Sequence, residues 1–223
     1  MTPPTDNRHN NLAAVPPSTA ERPALLTRAR RLATFTIAWN IVEGAVALSA
    51  AWIAGSRALA GFGLDSALES ISATILLWRL RVEQRDPARA ERVEHIAVRA
   101  IGIGFIVLAG YVAFEAIRSL TLRQQPGTST VGIGLTLVSL IVMPILATQK
   151  RIVAVALGSR AAKADSAQTW ACTWLSAVVL VGLILNATLG WWWADPIAAL
   201  IVVMFLLNEG REALTADHID DCC

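Results

Sequence analysis

Apolar residues fall into six long runs along this chain, parted by short polar connections. The runs extend from Leu32 to Ala54, Leu59 to Trp78, Ile96 to Ile117, Val131 to Ala147, Trp170 to Leu189 and Trp191 to Leu207. A helix that crosses the hydrocarbon core needs about 20 apolar residues, with roughly 17 as the lower limit. The pattern therefore predicts an all-α polytopic membrane protein, a bundle of six transmembrane helices, with Ser159 to Thr169 able to extend the fifth helix backwards. Residues 1–30, rich in Pro, Asn, Thr and Arg, read as a disordered tail. Residues 31–209 form the transmembrane domain and 210–223 a short polar tail. Ahead of the first run there is no apolar stretch that could serve as a secretory signal.

Composition agrees with this division. Of 223 residues, 55% are hydrophobic and 16% charged, and the mean hydropathy is +0.53, which leaves no room for a water-soluble domain. Three cysteines, one within a run and two at the very end, form no disulfide framework. Lys and Arg are placed asymmetrically. The N-terminal tail, the second and fourth connections and the C-terminal tail hold 16 of the 19, and the first and third connections hold the other 3. Positive charge is retained on the cytoplasmic side, so both termini are expected to be cytoplasmic in an integral protein of the cell membrane. The net charge of +2 reflects this bias and needs no nucleic acid to explain it. On the opposite side, Trp191, Trp192 and Trp193 suit an interfacial aromatic belt.

Within the apolar runs, a few polar residues need a reason, because a charge in a span costs several kcal/mol unless paired or hydrated. Asp65 and Glu69 lie four apart in the second run, hence on one helix face. Two like charges in a low-dielectric setting repel unless a proton or a visiting cation relieves them. Packing alone hardly explains the pair. Gln168 and Cys172 repeat the spacing in the fifth run, with Asp165 on the same face. Two facing pairs make a four-ligand site: Asp65, Glu69, Gln168 and Cys172. Taken singly, Cys172 would be an ordinary buried apolar residue and Gln168 an interhelical hydrogen-bonder. Asn40 and Glu43, one turn apart in the first run, fit either an outer-sphere or proton-relay role or simple helix association. Near the C-terminus, His218, Asp220, Asp221, Cys222 and Cys223 gather metal-ligating side chains within six residues, readable as a cytosolic metal-capture tail or as a polar end. The three His residues, His9, His95 and His218, lie away from the apolar centres. No nucleophile, base and orienting group can be assembled, so an enzyme is not expected.

Four segments resemble the transmembrane domain of the cation diffusion facilitator family: "NIVEG" (Asn40–Gly44), "GSRALAGFGLDSALESISA" (Gly55–Ala73), "KADSAQTWACTWLSA" (Lys163–Ala177) and "WWADPIAALIV" (Trp192–Val202). The similarity runs from about Arg31 to Glu212. It implies six helices, a homodimer in the lipid bilayer, and export of zinc or a related divalent metal in exchange for protons. No resident cofactor is implied; the metal is cargo. The family's tetrahedral site falls on Asp65 and Glu69 of the second helix and on Gln168 and Cys172 of the fifth, and Asp165 matches an acid often found just before the family's His. Here Gln stands for that His and Cys for an Asp. Gln lacks a strong nitrogen donor, and Cys softens the site toward zinc, cadmium or copper(I). An Asp, Glu and Cys set suits zinc best. The family's usual C-terminal cytosolic domain is not expected after the sixth run. The altered site also leaves open a non-transporting relative that senses metal or binds a partner.

Overall fold

The computed structural model describes residues 21–54, 57–123 and 129–215. Six helices account for nearly all of them: α1 (Arg22–Ala54), α2 (Arg57–Arg85), α3 (Pro87–Leu122), α4 (Thr130–Leu157), α5 (Arg160–Leu189) and α6 (Ala194–Thr215). The six-helix bundle expected from the apolar runs is present, but the helices outrun them at the end carrying the termini. Helix α1 starts ten residues before its run, within the segment read as a tail, and α6 continues into the segment read as the C-terminal tail. The apolar run marks only the part a helix offers to lipid; hydrogen bonding carries the helix further. Among the described residues, four helices are long and apolar enough to cross a membrane: α1, α3, α4 and α5. Helix α2 carries Asp65, Glu69 and several serines, and the apolar part of α6 is bounded by Asp195 and Asn208.

Local chemistry sets the helix ends. Pro87 sits in the first turn of α3, where its missing N–H is no loss. The Ser129 side chain caps α4 by accepting from the Gly132 N–H at 3.1 Å. At the other end of α4, Gly158 takes the left-handed conformation, φ 67°, and returns its N–H to the last turn. Ser159 Oγ then accepts from the Ala162 N–H and opens α5, so only Gly158 and Ser159 part the two helices. Lys150 and Arg151, counted above in a connection, therefore lie inside α4, and Lys163 inside α5. Taking these three charges from the inner tally of 16 still leaves 13 against 3. Trp191 and Trp193, expected to begin the sixth helix, stack on each other in the turn before α6, with ring centroids 5.3 Å apart.

The helices pack as two rows of three, with α1 beside α4, α2 beside α5 and α3 beside α6. The outward faces are apolar: Ile41, Trp52, Ile103, Phe114, Ile141, Ile145, Ile201 and Met204 are all exposed. The interior holds the charges, the reverse of a water-soluble domain and the arrangement lipid demands. Small residues on α3 divide their work. Gly102 packs against Ala213 and Leu214 of α6, while Gly104 and Gly110 face open space.

Two apolar clusters plug the bundle. One, near the termini, includes Leu26, Ala33, Ala73, Leu80, Val153 and Leu157. The other, farther along, includes Ala47, Leu59, Phe62, Met143 and Leu146. Beyond the first plug, buried Arg79 pairs with both Glu83 and Glu94. Glu83 also binds Arg22 at 2.5 Å, and Glu94 accepts from Ser159 Oγ at 2.9 Å and from the Ala161 N–H at 2.8 Å. That network ties α1, α2, α3 and the start of α5 together beside a cleft of about 700 Å³. Replacing Arg79 with Met takes a buried cation from two carboxylates that are less than a tenth exposed, leaving Glu83 with the half-exposed Arg22 and Glu94 with neutral donors. Breaking a buried pair costs about 3–5 kcal/mol, so Arg79→Met should melt well below wild type in detergent micelles; equal melting temperatures would show that the network does not hold the helix ends.

Candidate metal centre

Between the two plugs every helix of the inner pairs contributes polar side chains at one level. Helix α1 supplies Thr36, Asn40 and Glu43 between Ala33 and Ala47. Helix α2 supplies Asp65, Ser66, Glu69 and Ser72 between Phe62 and Ala73. From α4 comes Lys150, between Leu146 and Val153, and from α5 come Asp165, Gln168, Thr169 and Cys172. The result is a buried polar layer with an apolar cluster on each side. Asp65, Glu69, Asp165 and Cys172 are each 0% exposed.

The helical spacing read from the sequence brings the second and fifth helices together as expected, since α2 packs on α5. The Cys172 thiol lies against the Asp65 carboxylate. Neither Asp65 oxygen has an N–H or O–H donor, and Glu69 Oε2 and the Gln168 amide nitrogen are likewise buried without a partner. Buried polar atoms are nearly always satisfied, so this concentration of unsatisfied donors and acceptors marks a place built for something else. Asp65, Glu69 and Glu43 are near enough to repel one another when charged.

The donors share one buried layer without closing on one point. Among the described residues no three His, Cys, Asp or Glu side chains stand ready around a single ion. Glu69 is drawn the other way: its Oε1 accepts from Thr169 Oγ1 at 2.5 Å. Asp165, placed on the ligand face by its spacing, is engaged too, accepting from Ser72 Oγ at 3.2 Å and pairing with Lys150 Nζ at 2.9 Å. Glu43 is fastened by Ser66 Oγ at 3.0 Å and by Ser139 Oγ. Both amide atoms of its neighbour Asn40 are buried and unpartnered. His218, Asp220, Asp221, Cys222 and Cys223 lie outside the described residues.

The sequence reading missed Lys150, Thr169, Ser72, Ser66 and Ser139. Serine and threonine inside a span carry little signal, because their hydroxyls can also bond the preceding turn, as Thr173 does to the Thr169 carbonyl. Lys150 did leave a trace. Leu146, Ala147, Val153, Ala154 and Leu157 stand at −4, −3, +3, +4 and +7 from it and are all buried, so helical periodicity places Lys150 on the inner face while its neighbour Arg151 is exposed. A rule that counts charges near helix ends cannot see that difference.

Comparison with known proteins reaches the same helices. The family model for the cation efflux transmembrane domain matches residues 33–216. An uncharacterized transporter of Synechocystis, sll1263, is 26% identical over 191 residues, covering 83% of this chain and 62% of that protein. Protein p34 of Rickettsia prowazekii is 22% identical over 165 residues, covering 71% of this chain and 54% of its own length. The chain thus spans less than two thirds of either relative. The matched region contains all six helices but the first residues of α1, with every polar residue of the buried layer, so this chain is an integral membrane protein that belongs to the cation efflux transmembrane domain family, whose members are cation transporters rather than enzymes.

Proposed function

We propose that the chain exports a divalent metal ion, zinc or a similar borderline-soft cation, by exchange for protons. The observation that carries this reading is the group of atoms on α2 and α5 without an N–H or O–H partner or acceptor, both Asp65 oxygens, Glu69 Oε2 and the Gln168 amide nitrogen, in a fully buried layer. Two acids and a thiol beside an amide offer the donor set of a zinc site. In the binding state Glu69 turns from Thr169 toward Asp65 and Cys172, and Gln168 supplies or positions the fourth ligand. Ligands must shed protons to take a metal, so one site couples metal release on one side to proton uptake from the other. Glu43 and Asn40 line the same layer and are placed to orient the ligands or pass protons. Rocking of one helix group against another would open each plug in turn. A homodimer in the cell membrane, with both termini cytoplasmic, completes the proposal.

A second reading has one observation in its favour: Gln168 stands where the resemblance implies His, which removes the group best able to exchange a proton near neutral pH. Flux separates the two. In proteoliposomes, wild type should move zinc in response to a pH gradient, and Asp65→Asn should reduce flux to the level of empty liposomes. Zinc bound by wild type without any flux would identify a sensor.

Orientation is tested at the turn before α6. A single Cys introduced for Trp192 in a background free of other cysteines should react with an impermeant maleimide added outside intact cells. Labelling only after the membrane is opened would invert the topology.

Cys172 decides the ion. Cys172→Asp replaces a soft donor with a hard one, so preference should move from cadmium and zinc toward manganese. Cys172→Ala removes a direct ligand and should weaken zinc by at least the roughly 10- to 100-fold seen when an outer partner is lost. Because the thiol must ionise before it binds metal, wild-type affinity should also rise with pH more steeply than that of Cys172→Asp. Titration calorimetry on the purified proteins at two pH values reads all three effects. Identical ion rankings would make Cys172 a packing residue.

A further inference from the structure

Lys150 has no role in the ligand set just described, yet it is 4% exposed and lies in the same buried layer. Its ammonium is enclosed by oxygens from two other helices: Thr169 Oγ1 at 2.8 Å, Asp165 Oδ2 at 2.9 Å and Glu69 Oε1 at 3.8 Å. The Thr169 hydroxyl accepts from Lys150 and donates to Glu69, so the three oxygens are linked before any ion arrives. Ser72 Oγ steadies Asp165 from α2. Two carboxylates and a hydroxyl around one positive charge form a cation site in composition and shape, and the charge now filling it is tethered to α4.

We propose that Asp165, Thr169 and Glu69 form a second cation site that the Lys150 ammonium occupies in this state, and that a divalent ion crossing between the termini end and the Asp65–Cys172 set takes the ammonium's place. The sequence of layers supports the position. Along α5, Ala162 belongs to the plug near the termini and Cys172 to the far plug, and Asp165 and Thr169 come first from the termini side. Glu69 is shared: one oxygen faces the Lys150 nest and the other is unpartnered. All three donors are hard oxygens, unlike the Asp65–Cys172 set with its thiol, so this site accepts ions such as manganese or magnesium more readily, and holds zinc less firmly, than the thiol-bearing set does. A resident ammonium that competes for the site keeps any ion there short of permanent occupancy, the condition for passage through successive sites. The transit step rests on the metal-transport reading; the existence of the cation site does not.

Manganese(II) is the probe, because the sharp electron paramagnetic resonance lines of the free ion disappear on binding and the ions bound per chain can be counted. Detergent-purified wild type, K150R, K150M and K150M/D165N are titrated, with thermal melting measured alongside. K150M should bind one more manganese per chain than wild type. K150R, which keeps the cation, and K150M/D165N, which loses a carboxylate, should both return to the wild-type count. The added ion should survive in K150M/D65N, which impairs only the Asp65–Cys172 set. K150Q carries the same expectation as K150M should the latter not fold. An added ion in K150M upholds the second site whatever the wild-type manganese count, whereas a parallel titration in which wild type binds no zinc would count against the metal-transport reading. Equal counts in wild type, K150M and K150Q would overturn the proposal while leaving that reading intact, and would make Lys150–Asp165 a structural ion pair.

Discussion

The packing of α2 on α5 places carboxylates where water cannot reach them, and everything else in the interior answers that constraint. An acid in a dry, lipid-surrounded layer must be paired, hydrogen-bonded or neutral. Each acid here meets the demand differently. Glu43 has two serines, Asp165 has a lysine and a serine, Glu69 has a threonine and, farther off, the same lysine on one oxygen only, and Asp65 has just the Cys172 thiol. The gradient runs from well satisfied at the margins to poorly satisfied in the middle. Chemistry that needs a cation belongs at the poorly satisfied end.

The plugs on either side turn this gradient into a compartment. They are built from Ala, Leu, Val, Phe and Met, with the Cys172 thiol at the edge of the far one. Such contacts carry no directional bonds, so helices can slide or tilt across them at modest cost. The termini end is also clasped by the Arg79, Glu83, Glu94 and Arg22 network, which joins four helices through charged groups. Helix movement at that end has to rearrange ion pairs as well as apolar contacts. The far plug, made of apolar contacts, has no comparable clasp among the described residues.

A tethered ammonium changes the electrostatics of such a compartment in a way a free ion does not. It cannot diffuse off, so the layer never holds its full negative charge unopposed, and an arriving dication meets repulsion as well as attraction. Coulomb energies in a buried site fall steeply with distance, so a few ångströms of lysine movement suffice to alter that balance. Lys150 has four methylenes and a helix of its own to move with, and its partners sit on α2 and α5. Any relative motion of α4 against that pair is therefore felt at Glu69.

Periodicity and charge were enough, in the sequence alone, to establish the six helices, their apolar outer faces and the pairing of Asp65 with Glu69 on one side of α2, because residues four apart on a helix share a face whatever surrounds them. The resemblance in four short segments pointed to the family that the comparison then showed. Tertiary structure alone decided what each polar face meets. Local sequence could not say that Glu69 would bond Thr169, one hundred positions away, or that Lys150 would meet Asp165 of another helix. Those contacts depend on which helices become neighbours and at what level they dock. A helix specifies the direction of its side chains relative to its own axis, and only packing against other helices determines where in the bundle that direction points.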